Sequence, residues 1–484
     1  MLSNLLKNRT DFVFNIAILV FLNLLIKPFW ILGIDVAVQN EVGEGNYGLY
    51  FSILGFTYIF NAILDMGINN FNNRNIARNP QLLSKHFSGI ITLKLLLAVV
   101  YFTVVFITAF CIGYNAYQFK LLFWMALNQF LNTLILYLRT NISALLYFKT
   151  DSVLSVMDKL LMIIFCSILL WTNILGKNSF TIEHFIYAQT TAYIFTAIVA
   201  FTIVISHTHF CRLQWNPVFF LAILKKSFPF ALLTLLMAFY NRIDSVMIER
   251  LLPETTGAKE AGIYASAFRL LDALAMISYL FSIILLPLFS KMLKKREDIH
   301  PIIKNAFSLL FVFSISATTI LLWYKIPILD FFYTDHVTES AAVFSILIPC
   351  IIPISLTYIF GTLLTANGNM RILNWSAFAG MLVNLIVNFI LIPQLHAQGA
   401  AIASLSTQSL MALVQTIIAF YILKIPFKTL SLIRCALFAG ILIPTIGFMS
   451  QQYTGGAQYG LMISAAIALG LALLLKLIPL KLNQ

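Results

Sequence analysis

Nine ionisable side chains interrupt stretches that are otherwise almost wholly apolar: Lys27, Asp65, Lys94, Asp158, Lys159, Arg242, Asp244, Arg269 and Asp272. A charge at the centre of a membrane-spanning helix costs about 2.5 to 3.5 kcal/mol on insertion scales, so each needs a partner or a task. Their chemistry divides by sign. Cations where water is scarce hold phosphate or carboxylate strongly, whereas acids there neutralise a cation or carry a proton or metal ion. Lys94 and the adjacent Asp158 and Lys159 fall near inner helix ends, where a long side chain can snorkel to the surface. Asp65 ends a stretch reading "LDMG" and suits a loop-anchoring hydrogen bond or an ion pair as well as transport. Lys27, Arg242 and Arg269 lie deeper and are the candidate anion-binding residues, with Asp244 and Asp272 as ion-pair or coupling partners. Arg269 and Asp272, three apart, share a helix face. Pro28 follows Lys27 directly, removes a helix hydrogen bond and clashes with the preceding turn, which makes it a candidate gating kink.

No other chemistry is spelled out. Cys111, Cys166, Cys211, Cys350 and Cys435 are dispersed, and the seven histidines show no zinc-type spacing, so neither a disulfide framework nor a metal centre is expected. The 43 phenylalanines are read as lipid-facing or packing residues.

The elements that must carry these charges are transmembrane helices. Of 484 residues, 60% are hydrophobic and 10% charged, where a soluble domain has roughly a quarter charged. Apolar runs of about 18 to 25 residues recur along the chain, and in lipid only helices or closed barrels satisfy their own backbone groups. Barrel strands would alternate over segments of about 10 residues, which these runs do not. The fold class is therefore an all-α integral membrane protein of about fourteen transmembrane helices. They are placed at 12–34, 47–69, 89–113, 119–140, 153–173, 182–206, 228–250, 262–289, 301–323, 338–365, 371–393, 398–423, 431–450 and 458–480, hereafter spans 1 to 14. Span 1 has no small-residue cleavage site after it and is read as a retained helix rather than a signal peptide. The connections are too short to hide a soluble domain.

Lysine and arginine concentrate in every second connection, from Lys7 and Arg9 through Arg74, Arg78, Arg212 and Lys428 to Lys476 and Lys481. The intervening connections carry Lys120, Lys177, Arg250, Lys259 and Lys325 beside Asp35, Glu41, Glu44, Glu254 and Glu260. The positive-inside rule then puts both termini in the cytoplasm. The same scatter accounts for most of the net charge of +13 without a nucleic-acid-binding domain.

A short repeat organises the helices. Gly48-x-Tyr50 in "EGNYGLYFSILGF" matches Gly262-x-Tyr264 in "EAGIYASAFRLLD" at an offset of 214 residues, each opening the second helix of a six-helix block. The implied division is 1–210 for spans 1 to 6, 211–425 for spans 7 to 12 and 426–484 for two further helices. Added to Lys27, the same offset lands beside Arg242. Counted from the proposed outer helix ends, Lys27, Arg242 and Arg269 lie seven or eight residues deep, or about 10 to 12 Å, and so share one layer.

The stretches "LDMGINNFNNRNIAR" (Leu64 to Arg78), "NRIDSVMIERLLP", "TANGNMR" (Thr365 to Arg371) and "NLIVNFILIPQLHAQGAAIAS" (Asn384 to Ser404), with Pro287, together resemble polysaccharide-transporter flippases of the multidrug/oligosaccharidyl-lipid/polysaccharide (MOP) exporter superfamily. The segment Ile392, Pro393 and Gly399 to Ala401, preceded by Asn384 and Asn388, is the most specific part. The resemblance covers nearly the whole chain. It implies two pseudo-symmetric six-helix lobes around a central cavity, plus spans 13 and 14. It also implies a transporter, not an enzyme, that moves undecaprenyl-diphosphate-linked oligosaccharide from the cytoplasmic to the external leaflet by alternating access, for O-antigen, capsule or exopolysaccharide. The location implied is the bacterial inner membrane, and the partners are the anionic lipid-linked glycan together with polysaccharide polymerase or glycosyltransferases. Lys27, Arg242 and Arg269 would then meet the diphosphate. No cofactor is implied beyond a coupling proton or sodium ion.

Two competing readings remain at this level. A cation-coupled multidrug exporter of the same superfamily would want an acidic site, whereas this layer is net basic. A membrane glycan polymerase or ligase would want a sizeable external loop with catalytic residues, and the external loops here are short.

Overall fold

The structure, a computed structural model, describes residues 21–69, 72, 81–145, 147–172, 180–207, 213–424, 429–452 and 456–478. Of the residues named above, Lys7, Arg9, Arg74, Arg78, Lys177, Cys211, Arg212, Lys428 and Lys481 lie outside them. Among the described residues there is no strand, and twelve helices are long and apolar enough to cross a membrane. Two of the twelve carry a break. Phe21–Ile59 is interrupted at Gly43 (φ 78°, ψ 161°), and Met370–Leu423 at His396 (φ 52°, ψ −131°). Divided there, the twelve become the fourteen spans read from the sequence, the first break separating spans 1 and 2 and the second spans 11 and 12.

The helices run further at their ends than hydropathy suggests. Span 1 continues to Gly43, span 7 ends at Leu251 and span 8 opens at Glu254. Counted to these helix ends, Lys27 and Arg269 lie about 10 Å further in than Arg242 at 1.5 Å per residue, whereas counted from the apolar windows the three stay level. Apolar windows mark where lipid begins, not where the backbone stops being helical.

The chain divides into two compact units, Met1–Val246 and Met247–Gln484. Span 7 as far as Val246 thus packs with the N-terminal unit. A Cβ on Gly55 of span 2 would lie 2.8 Å from the Arg242 carbonyl oxygen, so span 7 approaches span 2 backbone to backbone. At the other end of span 2, Gly67 (φ 75°) lies against Ser227 in the same way.

Within the N-terminal unit, span 2 packs on span 4, and span 4 on span 6; within the C-terminal unit, span 8 packs on span 10, and span 10 on the helix of spans 11 and 12. The offset of 214 carries further than the two motifs that suggested it. It pairs Asp35 with Glu249, Gly43 with Gly257, and Ser52 with Ser266, and both acids and both serines are buried. The hydrogen bonds repeat as well. Gln189 of span 6 donates to the Tyr50 hydroxyl at 2.9 Å, and Ser404 of span 12 lies 3.4 Å from the Tyr264 hydroxyl. Each unit thus ties its second helix to its sixth through a tyrosine.

Spans 13 and 14 belong to the C-terminal unit, where Phe438, Leu442, Ile446, Ala468 and Ala472 form a core with Val312 of span 9. Large apolar side chains such as Phe110, Trp171, Trp375 and Tyr421 are exposed on the protein surface, as lipid-facing and interfacial residues are in a membrane protein.

The segment around Ile392 and Pro393 closes the hairpin between spans 11 and 12. A Cβ on Gly399 would stand 2.5 Å from the Leu391 carbonyl oxygen, so only glycine allows the chain to fold back this tightly. Glu260, on span 8, accepts the Ala397 backbone N–H at 3.2 Å and faces His396 Nδ1 at 3.6 Å. A carboxylate there caps the start of span 12 and complements its helix dipole. Gly399→Ala is expected to lower the thermal unfolding midpoint in detergent, since overpacking against fixed backbone costs about 1 to 3 kcal/mol. Gly440→Ala, where the added methyl meets nothing within 4 Å, is the matched control and should leave the midpoint unchanged. Equal midpoints for the two variants would contradict this account of the motif.

Candidate functional site

Span 1 enters the site through three side chains. Asn23 donates to Ser155 Oγ of span 5 at 3.0 Å, and Trp30, buried, stacks on Phe185 of span 6 with centroids 5.7 Å apart. Lys27 lies between them, partly buried. The helix does not stop at Pro28; two residues later it widens into a π-helical stretch, Trp30–Asp35. A proline leaves the carbonyl one turn earlier without its N–H partner, and a π-helical stretch re-registers the ladder beyond that gap. The irregularity aims Trp30 at spans 5 and 6.

Span 5 supplies Asp158 and Lys159. Hydropathy starts this span at 153, but the helix starts at Phe148, so the pair sits about 15 Å in along the axis and not at a solvated end. Lys159 Nζ donates to the Tyr193 hydroxyl of span 6 at 3.1 Å and lies 3.4 Å from Asp158 Oδ2. It is also within 5.1 Å of the Tyr193 ring centroid and 5.7 Å of the Trp30 centroid, inside cation–π range. The field of Asp158 reaches Lys27 favourably, and those of Lys159 and Arg139 oppose it. Arg139 is itself engaged by Asp151 at 2.8 Å.

Span 2 joins through Tyr58, which is within electrostatic reach of Lys159 and Tyr193. The Arg242 guanidinium of span 7 lies over the Tyr58 ring at 5.3 Å. Lys159, Asp158, Tyr193 and Trp30 are thus brought into contact inside the N-terminal unit, with Lys27 three residues before Trp30 on span 1 and Arg242 against Tyr58 of span 2. Such a set can bind a multiply charged anion through its cations and stack or hydrogen-bond a hydroxyl-rich group.

The other sequence candidates lie elsewhere. Asp244, buried, follows Arg242 on span 7 in the N-terminal unit, while Arg269 and Asp272 belong to span 8 of the C-terminal unit. Asp65 accepts Lys94 Nζ at 3.0 Å, and the same ammonium donates to the Leu64 carbonyl at 3.3 Å. Lys94 is only 2% exposed, so it does not snorkel: its helix begins at Leu82, well before the sequence-predicted end. The pair pins the C-terminal end of span 2, where Met66 and Gly67 turn through positive φ, onto span 3. Asn72, from the asparagine-rich stretch, donates to Asn141 Oδ1 of span 4 at 2.8 Å and ties the segment that follows span 2 to the same unit. No group of three or more metal-ligating side chains is found among the described residues.

A family model described as polysaccharide biosynthesis protein matches residues 12–293, more than half of the chain and all of the cluster above. The chain belongs to the polysaccharide biosynthesis protein family. A second family model, MatE, matches residues 229–390. Among solved structures, the lipid II flippase MurJ in an inward closed conformation superposes with a TM-score of 0.70 at 15% identity, covering 96% of this chain and 98% of that one. An inward-facing multidrug resistance MATE family transporter of the MOP superfamily gives 0.61 at 11% identity, covering 82% and 94%. The Vibrio cholerae MATE transporter VcmN gives 0.57 at 13%, covering 85% and 98%. At these identities the likeness is one of fold. No curated protein sequence matches the chain. A member of the polysaccharide biosynthesis protein family with twelve helices, among the described residues, long and apolar enough to cross a membrane, the chain is a multi-pass membrane protein with the fold of the flippase and transporters above.

Sequence reasoning singles out Lys27 and Arg242, places Lys159 among the solvated charges and does not point to Tyr58, Tyr193 or Trp30. Lys159 had one usable signal, a lysine adjacent to an aspartate inside an apolar run. The three aromatics had none, because a tyrosine or tryptophan in a lipid-exposed stretch has the same composition as one in a polar cluster.

Proposed function

We propose that the chain is a flippase carrying undecaprenyl-diphosphate-linked oligosaccharide from the cytoplasmic to the external leaflet by alternating access, for O-antigen, capsule or exopolysaccharide assembly. The observation that carries this reading is that Lys159 and Arg242 of the N-terminal unit each lie against aromatic rings inside apolar spans, with Lys27 on the neighbouring turn of span 1, in a member of a polysaccharide biosynthesis family. A dianionic diphosphate needs cations where water is scarce, and a sugar head needs hydroxyls and ring faces. The bacterial inner membrane is the location that fits, and the scatter of basic residues favours cytoplasmic termini. Polymerase or glycosyltransferases are the partners that would consume or supply the glycan. Coupling to protons or sodium is part of the proposal, with Asp65, Asp244 and Asp272 as the acids to test first.

The MatE match over residues 229–390 keeps a second reading in view, cation-coupled export of drugs. The two separate in proteoliposomes offered both cargoes. Undecaprenyl-diphosphate oligosaccharide is expected to reach the opposite leaflet, scored by its accessibility to a lectin, with no protein-dependent efflux of a cationic dye. Dye efflux without glycan transfer would overturn the flippase reading.

A further inference from the structure

The N-terminal unit holds two intramembrane lysines in contrasting ways. Lys94 is 2% exposed, is 3.0 Å from Asp65 and also bonds a backbone carbonyl, the environment of a structural cation. Lys159 is 21% exposed, and its carboxylate, Asp158, stands at 3.4 Å, beyond the 2.7 to 2.9 Å of a strong charge-assisted hydrogen bond. Its remaining partners are a phenol hydroxyl, the Met162 thioether sulfur at 3.6 Å and two ring faces. Each of these is a weak acceptor. A phosphate oxygen would outbid all of them for the ammonium.

One of those ring faces belongs to Trp30, the first residue of the π-helical stretch of span 1. That stretch follows Lys27 and Pro28 directly. Lys159 therefore lies across spans 5 and 1 against the first residue of the irregular stretch, with Asp158 as its own carboxylate on span 5.

We propose that Lys159 is a transferable cation: substrate diphosphate draws it off Trp30 and Tyr193, and the loss of that contact frees the π-helical stretch of span 1 to change its bend. This rests on the diphosphate-lipid reading above and adds to it a specific residue and a link between binding and movement. Lys159 is both a binding residue for the anion and a positioning residue for span 1.

The test uses the full chain in nanodiscs, with Trp124, Trp171, Trp215, Trp323 and Trp375 replaced by phenylalanine so that Trp30 reports alone. Undecaprenyl diphosphate is the probe, its binding measured separately by native mass spectrometry. The probe is expected to shift Trp30 emission and raise its quenching by acrylamide. Lys159→Met should show the shifted signal before any probe is added, change no further, and bind the probe at least tenfold more weakly. Lys159→Arg, which keeps the charge, should retain the response. Should the five replacements unfold the protein, 5-fluorotryptophan in the unmutated chain gives the same reading, with the Trp30 resonance assigned from its loss in Trp30→Phe. If the probe binds and lipid-linked glycan is translocated while Trp30 does not respond, the proposal is overturned and the flippase reading stands. If the wild-type chain neither binds the probe nor moves the glycan, both fall.

Discussion

Neutralising Lys27, Lys159 and Arg242 together, each to methionine, is expected to cut translocation of the diphosphate-linked glycan by at least about 100-fold in a protein that still inserts. One charge-assisted contact to a desolvated phosphate is worth about 1.5 to 3 kcal/mol, and 1.4 kcal/mol is a factor of ten, so two lost contacts reach about 100-fold even at the lower figure. Methionine fills a similar volume, but removing a cation leaves its partner acid uncompensated, so the unfolding midpoint is measured beside translocation for each variant. The single variants carry the finer information. Arg242→Lys keeps a cation but loses the planar group that stacks on Tyr58, and should fall between wild type and Arg242→Met. Transport at the wild-type rate by a triple variant that inserts normally would remove these residues from the substrate site.

The second large effect is on stability. Asp65→Asn leaves the Lys94 ammonium buried beside a neutral amide, and breaking one side of a buried ion pair costs about 3 to 5 kcal/mol. Replacing both partners with apolar residues, Asp65→Leu with Lys94→Met, should recover most of that loss, since the pair's attraction roughly offsets its own desolvation. Unfolding in mixed micelles of increasing SDS content measures both. If the double variant is as unstable as the single one, the two side chains contribute independently and the pairing account is wrong.

Much of the architecture was legible because bilayer thickness acts on composition alone: an apolar run long enough to cross is a helix wherever it falls. The repeat was legible from Gly48-x-Tyr50 and Gly262-x-Tyr264, and it extends in space to the Tyr50 and Tyr264 hydroxyl contacts. Helix ends were less legible, since a helix such as Glu254–Lys295 outlasts its apolar window at both ends. Lys94, expected to reach the surface, is instead enclosed with Asp65 and the Leu64 carbonyl, which periodicity alone does not show. The aromatic walls were not legible at all. Which face of span 6 turns Tyr193 toward Lys159 depends on how three helices pack, and single-sequence periodicity is silent where every face is apolar.

The bond from Asn23 to Ser155 and the field of Asp158 at Lys27 also order events at the ribosome. Span 1 leaves the exit tunnel more than a hundred residues before span 5, an interval on the order of ten seconds at about 5 to 20 residues per second. Throughout it, a helix bearing an asparagine, a lysine and a proline has none of its native neighbours on span 5. Until span 5 arrives the polar groups of span 1 lack these partners, so the native packing of the first helix is completed only after the fifth is made.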